Sequence, residues 1–177
     1  YGGPVSFGLT GSDPIEIIIS NVILMPTFIY CYTSDEDWKY QMENYQGSFV
    51  FIDSGNLINI GPKKHVTKEP VRMNDIQHYW RSAIQIAQTT ARDYKLNHNP
   101  RFGRVVNPCH LKYDIFVPAG AAVAFGAANF VHCPLDWFNT VNDWDSTIVL
   151  PWGTLHEINH NRQENYGVSQ PNNGEMT

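Results

Sequence analysis

Short runs of β-branched and aromatic residues alternate with turn-forming residues over the first 60 positions of the chain. Runs of this length and composition predict β-strands. The five predicted strands are Val5–Leu9, Ile15–Ile19, Phe28–Thr33, Gly47–Ile52 and Asn56–Ile60. Clusters of Gly, Ser, Asp and Pro predict turns between them, at 11–14, 34–37 and 53–56. The Ser-Gly-Asn sequence at 54–56 also predicts that the last two strands form a hairpin.

The apolar spacing changes from strand-like to helical after position 73. Apolar residues then recur three or four positions apart, at Ile76, Trp80, Ala83, Ile84, Ala87, Ala91 and Tyr94. Asn74 is a favourable N-cap, and Asp75 is favourable in the first turn. The pattern predicts a helix from Asn74 to Tyr94. Its length of about 30 Å is sufficient to back one face of a sheet.

The second half of the chain contains a predicted buried strand, Tyr113–Val117, and two less regular stretches. Positions 119–131 are rich in Ala and Gly, and small side chains permit a close approach by another backbone. The stretch therefore predicts a place where another backbone approaches closely, with a tight internal packing seam as the alternative. Positions 134–146 predict an aromatic, acidic loop. Its Trp137, Phe138 and Trp144 side chains either stack against a ligand or, as we favour, pack in the core.

Composition and charge narrow the class of protein. The chain has 177 residues and a mass of 20.2 kDa, with 42% hydrophobic and 16% charged residues, so it can build the core of one domain or slightly more. Its net charge of -5 argues against sequence-independent binding of nucleic acid, which requires a basic excess. The longest apolar runs are too short to span a bilayer.

Three cysteines, Cys31, Cys109 and Cys133, occur without a Cys-x-x-Cys pair, which argues against a thiolate metal site. An odd number of cysteines allows at most one internal disulfide. The favoured interpretation is that all three are buried thiols that pack as small apolar side chains. The sequence leaves any pairing among them open.

The segment that carries chemistry is His156-Glu157-Ile158-Asn159-His160. Residues four apart lie on the same side of a helix, so both imidazoles can bind one Zn²⁺ at about 2.0–2.1 Å. Glu157 is turned about 100° from His156, which places its carboxylate beside a zinc-bound water and not on the metal. Zinc lowers the pKa of that water to about 7, and Glu157 accepts its proton as the water attacks a carbonyl carbon. The spacing therefore predicts a zinc hydrolase with Glu157 as the catalytic base.

A catalytic zinc site needs a third protein ligand. Glu164 lies in line with both histidines, but three ligands along one straight helix would span about 12 Å, which one ion cannot bridge. Gln163 and Tyr166 replace the Gly and His of the extended metzincin motif. The remaining local candidate is Glu175, on a segment that a turn after Gly167 would fold back toward the zinc. Five other histidines lack ligand-like spacing: His65, His78, His98, His110 and His132.

Two segments resemble the active site of the M60-type, enhancin-like gluzincin peptidases. The first runs from His156 to Gln163, and the second is Asn173-Gly174-Glu175-Met176-Thr177. Looser matches at 1–3, at 35–38 and in the predicted helix 74–94 extend the resemblance over nearly the whole chain. The resemblance implies that Glu175 completes the zinc site.

The resemblance implies both a chemistry and an architecture. Zn²⁺ held by His156, His160 and Glu175, with Glu157 as the base, would cleave peptide bonds in extracellular glycoproteins, often of mucin type. A secreted or cell-surface location follows from that substrate class. The expected fold is α+β and zincin-like, with a mixed or antiparallel β-sheet, a long backing helix and an active-site helix that carries the His-Glu-x-x-His motif.

Members of this family continue past the third ligand with a helical subdomain, so residues 1–177 are expected to form only part of a catalytic domain. We divide this part into a β-rich portion, 1–72, and a portion, 73–177, that carries the helix, the edge strand and the active-site helix. We expect weak or absent zinc binding by the 177-residue chain alone. In zinc peptidases an edge strand next to the active-site helix commonly holds the substrate backbone, so we expect part of 119–131 to line the cleft. Phe125, Gly126 and Ala127 are the predicted substrate-binding residues.

The alternative function is that of a surface antigen or adhesin with a structural or inactive zinc site. A structural site fills the fourth coordination position with a protein side chain, whereas a catalytic site leaves it for water. Because no other histidine has ligand-like spacing, the open site is favoured. A carbohydrate-binding β-module would account for residues 1–60 alone and would leave His156 and His160 unexplained.

Overall fold

The computed structural model describes residues 16–66, 71–93, 108–114, 116–118, 121–125, 130–148 and 151–160. The strands in these ranges are β1 (Thr27–Ile29), β2 (Phe49–Asp53), β3 (Leu57–Pro62), β4 (Cys109–Asp114), β5 (Val123–Phe125) and β6 (Phe130–Pro134). The helices are α1 (Asp35–Asn44), α2 (Met73–Asp93), α3 (Trp137–Asn142), α4 (Trp144–Ile148) and α5 (Trp152–His160), with one 3₁₀ turn at Lys63–His65. The predicted strand Val5–Leu9 lies outside the described residues.

The described strands form one mixed sheet of six, in the order β1-β2-β3-β4-β6-β5. The β2–β3 and β5–β6 pairs are antiparallel, and the other three neighbouring pairs are parallel. Strands from both sides of position 72 contribute to the sheet. The expected combination of helices with a mixed sheet is therefore present, and β5 lies at one edge of it.

The hairpin predicted at 54–56 is present between β2 and β3. Gly55 adopts a φ of 88°, a left-handed conformation that glycine adopts without steric cost. The Asp53 Oδ1 atom accepts a hydrogen bond from the Gly55 N–H at 2.6 Å, and the Ser54 N–H donates to the Leu57 carbonyl at 3.0 Å. These bonds fix the register in which the two strands pair.

The turn predicted at 34–37 is instead the beginning of α1. The Ser34 Oγ atom accepts a hydrogen bond from the Asp37 N–H at 3.0 Å, which makes Ser34 the N-cap. Asp35, Glu36 and Asp37 occupy the first turn, where the helix dipole favours negative charge. The helix docks through Trp38, which is 2% exposed and packs edge-on against Phe28 with ring centroids 5.8 Å apart.

Replacing the cap tests this assignment. We expect Ser34→Ala to lower the free energy of unfolding by about 1 kcal/mol, because the Asp37 N–H loses its acceptor. Urea denaturation of the variant and the parent protein measures the difference. Ser20→Ala, at an exposed position outside any helix or strand, is the matched control and should change stability by less than about 0.5 kcal/mol. An equal effect of both changes would contradict the cap.

Three predicted strands differ from the structure. The strand predicted at Phe28–Thr33 ends at Ile29, and a turn follows it. Residues 16–19 of the predicted strand Ile15–Ile19 lie outside regular structure and are exposed, since they have no partner strand among the described residues. The strand predicted at Tyr113–Val117 begins earlier, at Cys109, and ends at Asp114. Phe116 follows in a turn, 86% exposed, where its N–H donates to the Asp114 Oδ1 atom at 2.9 Å.

The loop predicted at 134–146 contains the two short helices α3 and α4. Phe138 is fully buried, and Trp137 and Trp144 are partly buried against the core. Phe138 covers Gly61 of β3, where a Cβ atom would approach the ring to 2.6 Å. The core-packing interpretation of these aromatic residues is therefore confirmed.

The helix predicted at 74–94 is present as α2, which packs on β3, α1 and α4. Ile76, Trp80 and Ile84 are buried in one core cluster with the sheet residues Val50 and Leu111. The Trp80 indole N–H donates to the Val141 carbonyl of α3 at 2.9 Å. One side chain thereby joins α2 to the helices that follow the sheet.

The expectation of three buried thiols is wrong for Cys31. Cys109 and Cys133 are fully buried, but Cys31 is exposed and has a φ of 70° in the turn after β1. All three cysteines are present as thiols without a disulfide. None of the helices in the described ranges is long and apolar enough to cross a bilayer.

Candidate metal centre

Helix α5 carries the His-Glu-x-x-His motif and packs on β5 and β6. Thr154 and Ile158 are buried, and Leu155 packs against the core, so this side of the helix faces the protein. Gly153 lies so close to the Trp137 ring that a Cβ atom would approach it to 2.6 Å. The close approach of Trp137 and the buried side chains hold the helix against the sheet.

The two histidines converge on the other side of α5. The Nε2 atoms of His156 and His160 are 2.9 Å apart, and the two rings are almost perpendicular, with centroids 4.5 Å apart. Glu157 joins them: a carboxylate oxygen and the imidazole nitrogens lie within 4.8 Å of one another. All three residues are partly exposed, so solvent or a ligand can reach them. Among the described residues, these three form the cluster of His, Cys, Asp or Glu side chains that could hold a metal ion.

The histidine geometry fits a metal ion. Two nitrogens that bind one tetrahedral Zn²⁺ at about 2.0–2.1 Å lie about 3.3 Å apart. The two Nε2 atoms are 2.9 Å apart, slightly closer than this, and a small rotation of the side chains would bring them to the metal-binding distance. The donor set, two imidazoles and a nearby carboxylate, suits Zn²⁺.

Trp152 is a site residue that the sequence interpretation missed. Its indole lies over the His156 ring, with centroids 4.5 Å apart and planes tilted by 30°, although it is 69% exposed. The contact restricts rotation of the imidazole. The sequence spacing could have indicated this contact. Successive intervals of four positions separate Trp152, His156 and His160, which places them on one side of the helix.

Cys133 of β6 lies near the site but is not suited to bind a cation. Burial raises the pKa of its thiol well above the usual value, and the charges of Cys109 and Glu157 raise the pKa further. Cys133 is therefore a neutral thiol at physiological pH, whereas metals bind the thiolate.

The described residues contain only part of the predicted site. His156, Glu157 and His160 are brought together, whereas Glu175, Gly126 and Ala127 lie outside the described residues. Phe125 is the last residue of β5, at the edge of the sheet and on a strand that contacts α5. The edge strand β5 lies next to the motif helix, and its role in lining a cleft stays a prediction.

Sequence comparison assigns the chain to a family. A profile of the family described as Peptidase M60, enhancin and enhancin-like, matches residues 21–177, so the chain belongs to this family of peptidases. The fold also resembles a solved metallopeptidase from Bacteroides thetaiotaomicron, with a TM-score of 0.55 and 14% identity over 77% of this chain and 22% of that one. At this identity the likeness concerns the fold.

Three relatives with curated descriptions are similar to almost the whole chain. Antigenic protein P1 of Entamoeba histolytica is 30% identical over 95% of this chain, and antigenic protein NP1 of the same organism is 28% identical over 97%. A TRPM8 channel-associated factor homolog of Danio rerio is 25% identical over 95%. The chain spans 14%, 26% and 17% of the lengths of these three relatives, respectively.

Proposed function

We propose that the chain carries the zinc-binding helix of an endopeptidase of the gluzincin type, on a zincin-like fold. The observation that supports this most is the convergence of the His156 and His160 Nε2 atoms, 2.9 Å apart, with the Glu157 carboxylate beside them. Glu175 would be the third ligand. It follows the motif in the order that the family resemblance implies.

Each residue has a separate task in this proposal. His156, His160 and Glu175 would hold Zn²⁺, which would supply a coordinated water with a pKa of about 7 and a Lewis acid for the carbonyl group. Glu157 accepts a proton as the water adds to the carbonyl carbon and then donates it to the leaving amine. Trp152 restricts the rotation of His156 and so keeps its Nε2 atom directed toward His160. The edge strand that ends at Phe125, with Gly126 and Ala127 after it, would hold the substrate backbone.

The proposed substrates are peptide bonds in extracellular glycoproteins, mucins among them, and the proposed location is secreted or at the cell surface. Membership of the enhancin-like family supports this substrate class. The names of the two Entamoeba relatives, which describe them as antigenic, favour a location outside the cell. They also favour the second candidate function, a surface antigen with a structural or inactive zinc site.

Removal of the metal distinguishes the proposed peptidase from the proposed surface antigen. We expect the full-length protein that carries this sequence to contain one zinc per chain, to lose cleavage of a mucin-type glycoprotein on treatment with 1,10-phenanthroline, and to regain it on addition of Zn²⁺. His160→Ala should lose both zinc and turnover. His78 lies on α2, where its Nδ1 atom bonds to the Tyr30 hydroxyl, so His78→Ala is the control and should keep both. Zinc content is measured by elemental analysis.

Two results would contradict the peptidase. Stoichiometric zinc without cleavage of glycosylated or deglycosylated substrate would favour the antigen with a structural or inactive site. Cleavage that survives both complete zinc removal and the His160→Ala substitution would exclude the zinc mechanism.

A further inference from the structure

A second candidate site lies away from α5, in a groove of about 990 Å³ between α1 and one end of the β2–β3 hairpin. Trp38 and Met42 of α1, Phe49 at the start of β2, and Leu135 after β6 provide an apolar lining. The motif helix packs instead on β5 and β6, at the far edge of the sheet. The groove is therefore distinct from the candidate metal centre.

The charges around this groove have the opposite sign to the chain as a whole. Lys39 of α1 and Lys63 and Lys64 of the 3₁₀ turn line it, with Glu43 as the one acid among its lining residues. The whole chain has a net charge of -5. An apolar surface bordered by lysines in an acidic protein is complementary to a ligand that is both apolar and anionic.

The groove is partly fixed in place by the fold. The Lys63 ammonium donates a hydrogen bond to the carbonyl of Tyr45, the C-cap of α1, so the 3₁₀ turn and the helix are joined across one end of the groove. Trp38 is anchored by its edge-on contact with Phe28. Such a site requires little rearrangement before a ligand binds, which reduces the entropic cost of binding.

We propose that this groove binds an acidic polypeptide segment that carries bulky apolar side chains. The groove volume of about 990 Å³ is at the upper end of the range of about 300–1,000 Å³ that is typical of small-molecule pockets. Lys39 of α1 and Lys64 of the 3₁₀ turn come from two separate elements, so they match two spaced carboxylates better than the single headgroup of a fatty acid. The apolar side chains of the peptide would lie against Met42 and Phe49.

Fluorescence polarisation with a short labelled peptide that alternates Leu or Trp with Glu provides the test. We expect saturable binding to the parent protein that weakens as salt rises. Lys39→Gln/Lys64→Gln should weaken binding about tenfold, since two charge pairs are lost. The control Arg81→Gln/Lys112→Gln, which removes the same charge from exposed positions outside the groove, should change affinity less than about twofold. Circular dichroism confirms that both variants are folded.

Companion ligands identify the occupant. The peptide with Gln in place of Glu, and the peptide with Ser in place of its apolar residues, should each bind at least about tenfold more weakly. Absence of binding by the acidic peptide, or equal affinity of the two lysine variants, would overturn the proposal. Tight binding of dodecanoate in place of the peptide would identify a single-headed lipid anion as the occupant and would also overturn it. Glu157→Gln should bind the peptide like the parent, so this test is independent of the zinc chemistry.

Discussion

Glu157→Gln should reduce peptide turnover by about 10²–10⁴-fold while the protein keeps its zinc. Gln occupies nearly the same volume as Glu and retains a carbonyl oxygen, but it cannot accept the proton of the attacking water. In the proposed mechanism Glu157 is the base and not a ligand, so the substitution leaves both proposed histidine ligands in place. We expect kcat to fall while KM stays near the parent value, which indicates loss of an interaction made in the transition state.

The measurement requires turnover and zinc content from the same preparation of the full-length protein. Glu16→Gln, at an exposed position outside any helix or strand, provides a control with the same loss of charge and should leave kcat unchanged. If Glu157→Gln cleaves a mucin-type glycoprotein at the parent rate, the assignment of the base is wrong. If it loses zinc, Glu157 is a ligand and the geometry around α5 requires a different explanation.

Trp80→Ala should lower the free energy of unfolding by about 3–5 kcal/mol. The side chain is fully buried in the core cluster, and its N–H bonds to the Val141 carbonyl. Truncation therefore leaves a cavity between α2 and the sheet and removes the shorter of two hydrogen bonds to the Val141 carbonyl, which also accepts from the Thr147 hydroxyl at 3.3 Å. A loss of this size is a large fraction of the total stability of an ordinary domain, about 5–15 kcal/mol.

Denaturation in urea, followed by circular dichroism, measures the change. Phe116→Ala is the control because it also removes a large aromatic ring, but from a position that is 86% exposed, and it should cost less than about 0.5 kcal/mol. Trp80→Phe keeps most of the ring volume and should have an intermediate effect. A loss below about 1 kcal/mol for Trp80→Ala would show that α2 contributes little to the core.

The sequence alone predicted an element correctly where a short residue spacing is compatible with one local structure. The four-residue interval between His156 and His160 specifies two side chains on one side of a helix, and α5 brings them together. The apolar interval through Ile76, Trp80 and Ile84 likewise specifies the buried side of α2. Ser54-Gly55-Asn56 specified a hairpin because Gly55 readily adopts a positive φ.

Sequence interpretation failed where one local pattern fits two structures. Ser34 followed by three acids is typical of a turn and also of a helix N-terminus, and the burial of Trp38 by Phe28 supports the helix. The apolar residues at 16–19 have strand-like composition, but a strand also requires a partner, which the sequence does not specify locally. The packing of α5 on β5 and β6 joins elements that are separate along the chain, so no local spacing could have indicated it.

The parallel pairing of β3 with β4 has a consequence for the order of folding. Leu57 pairs with Cys109, so the two halves of the sheet join through residues far apart along the chain, and closing so long a loop costs entropy before any contact is gained. Strands β5 and β6, and then the motif helix, can dock only after β4 is in place. His156 and His160 would therefore reach their final surroundings only after the parallel strands of the sheet have paired.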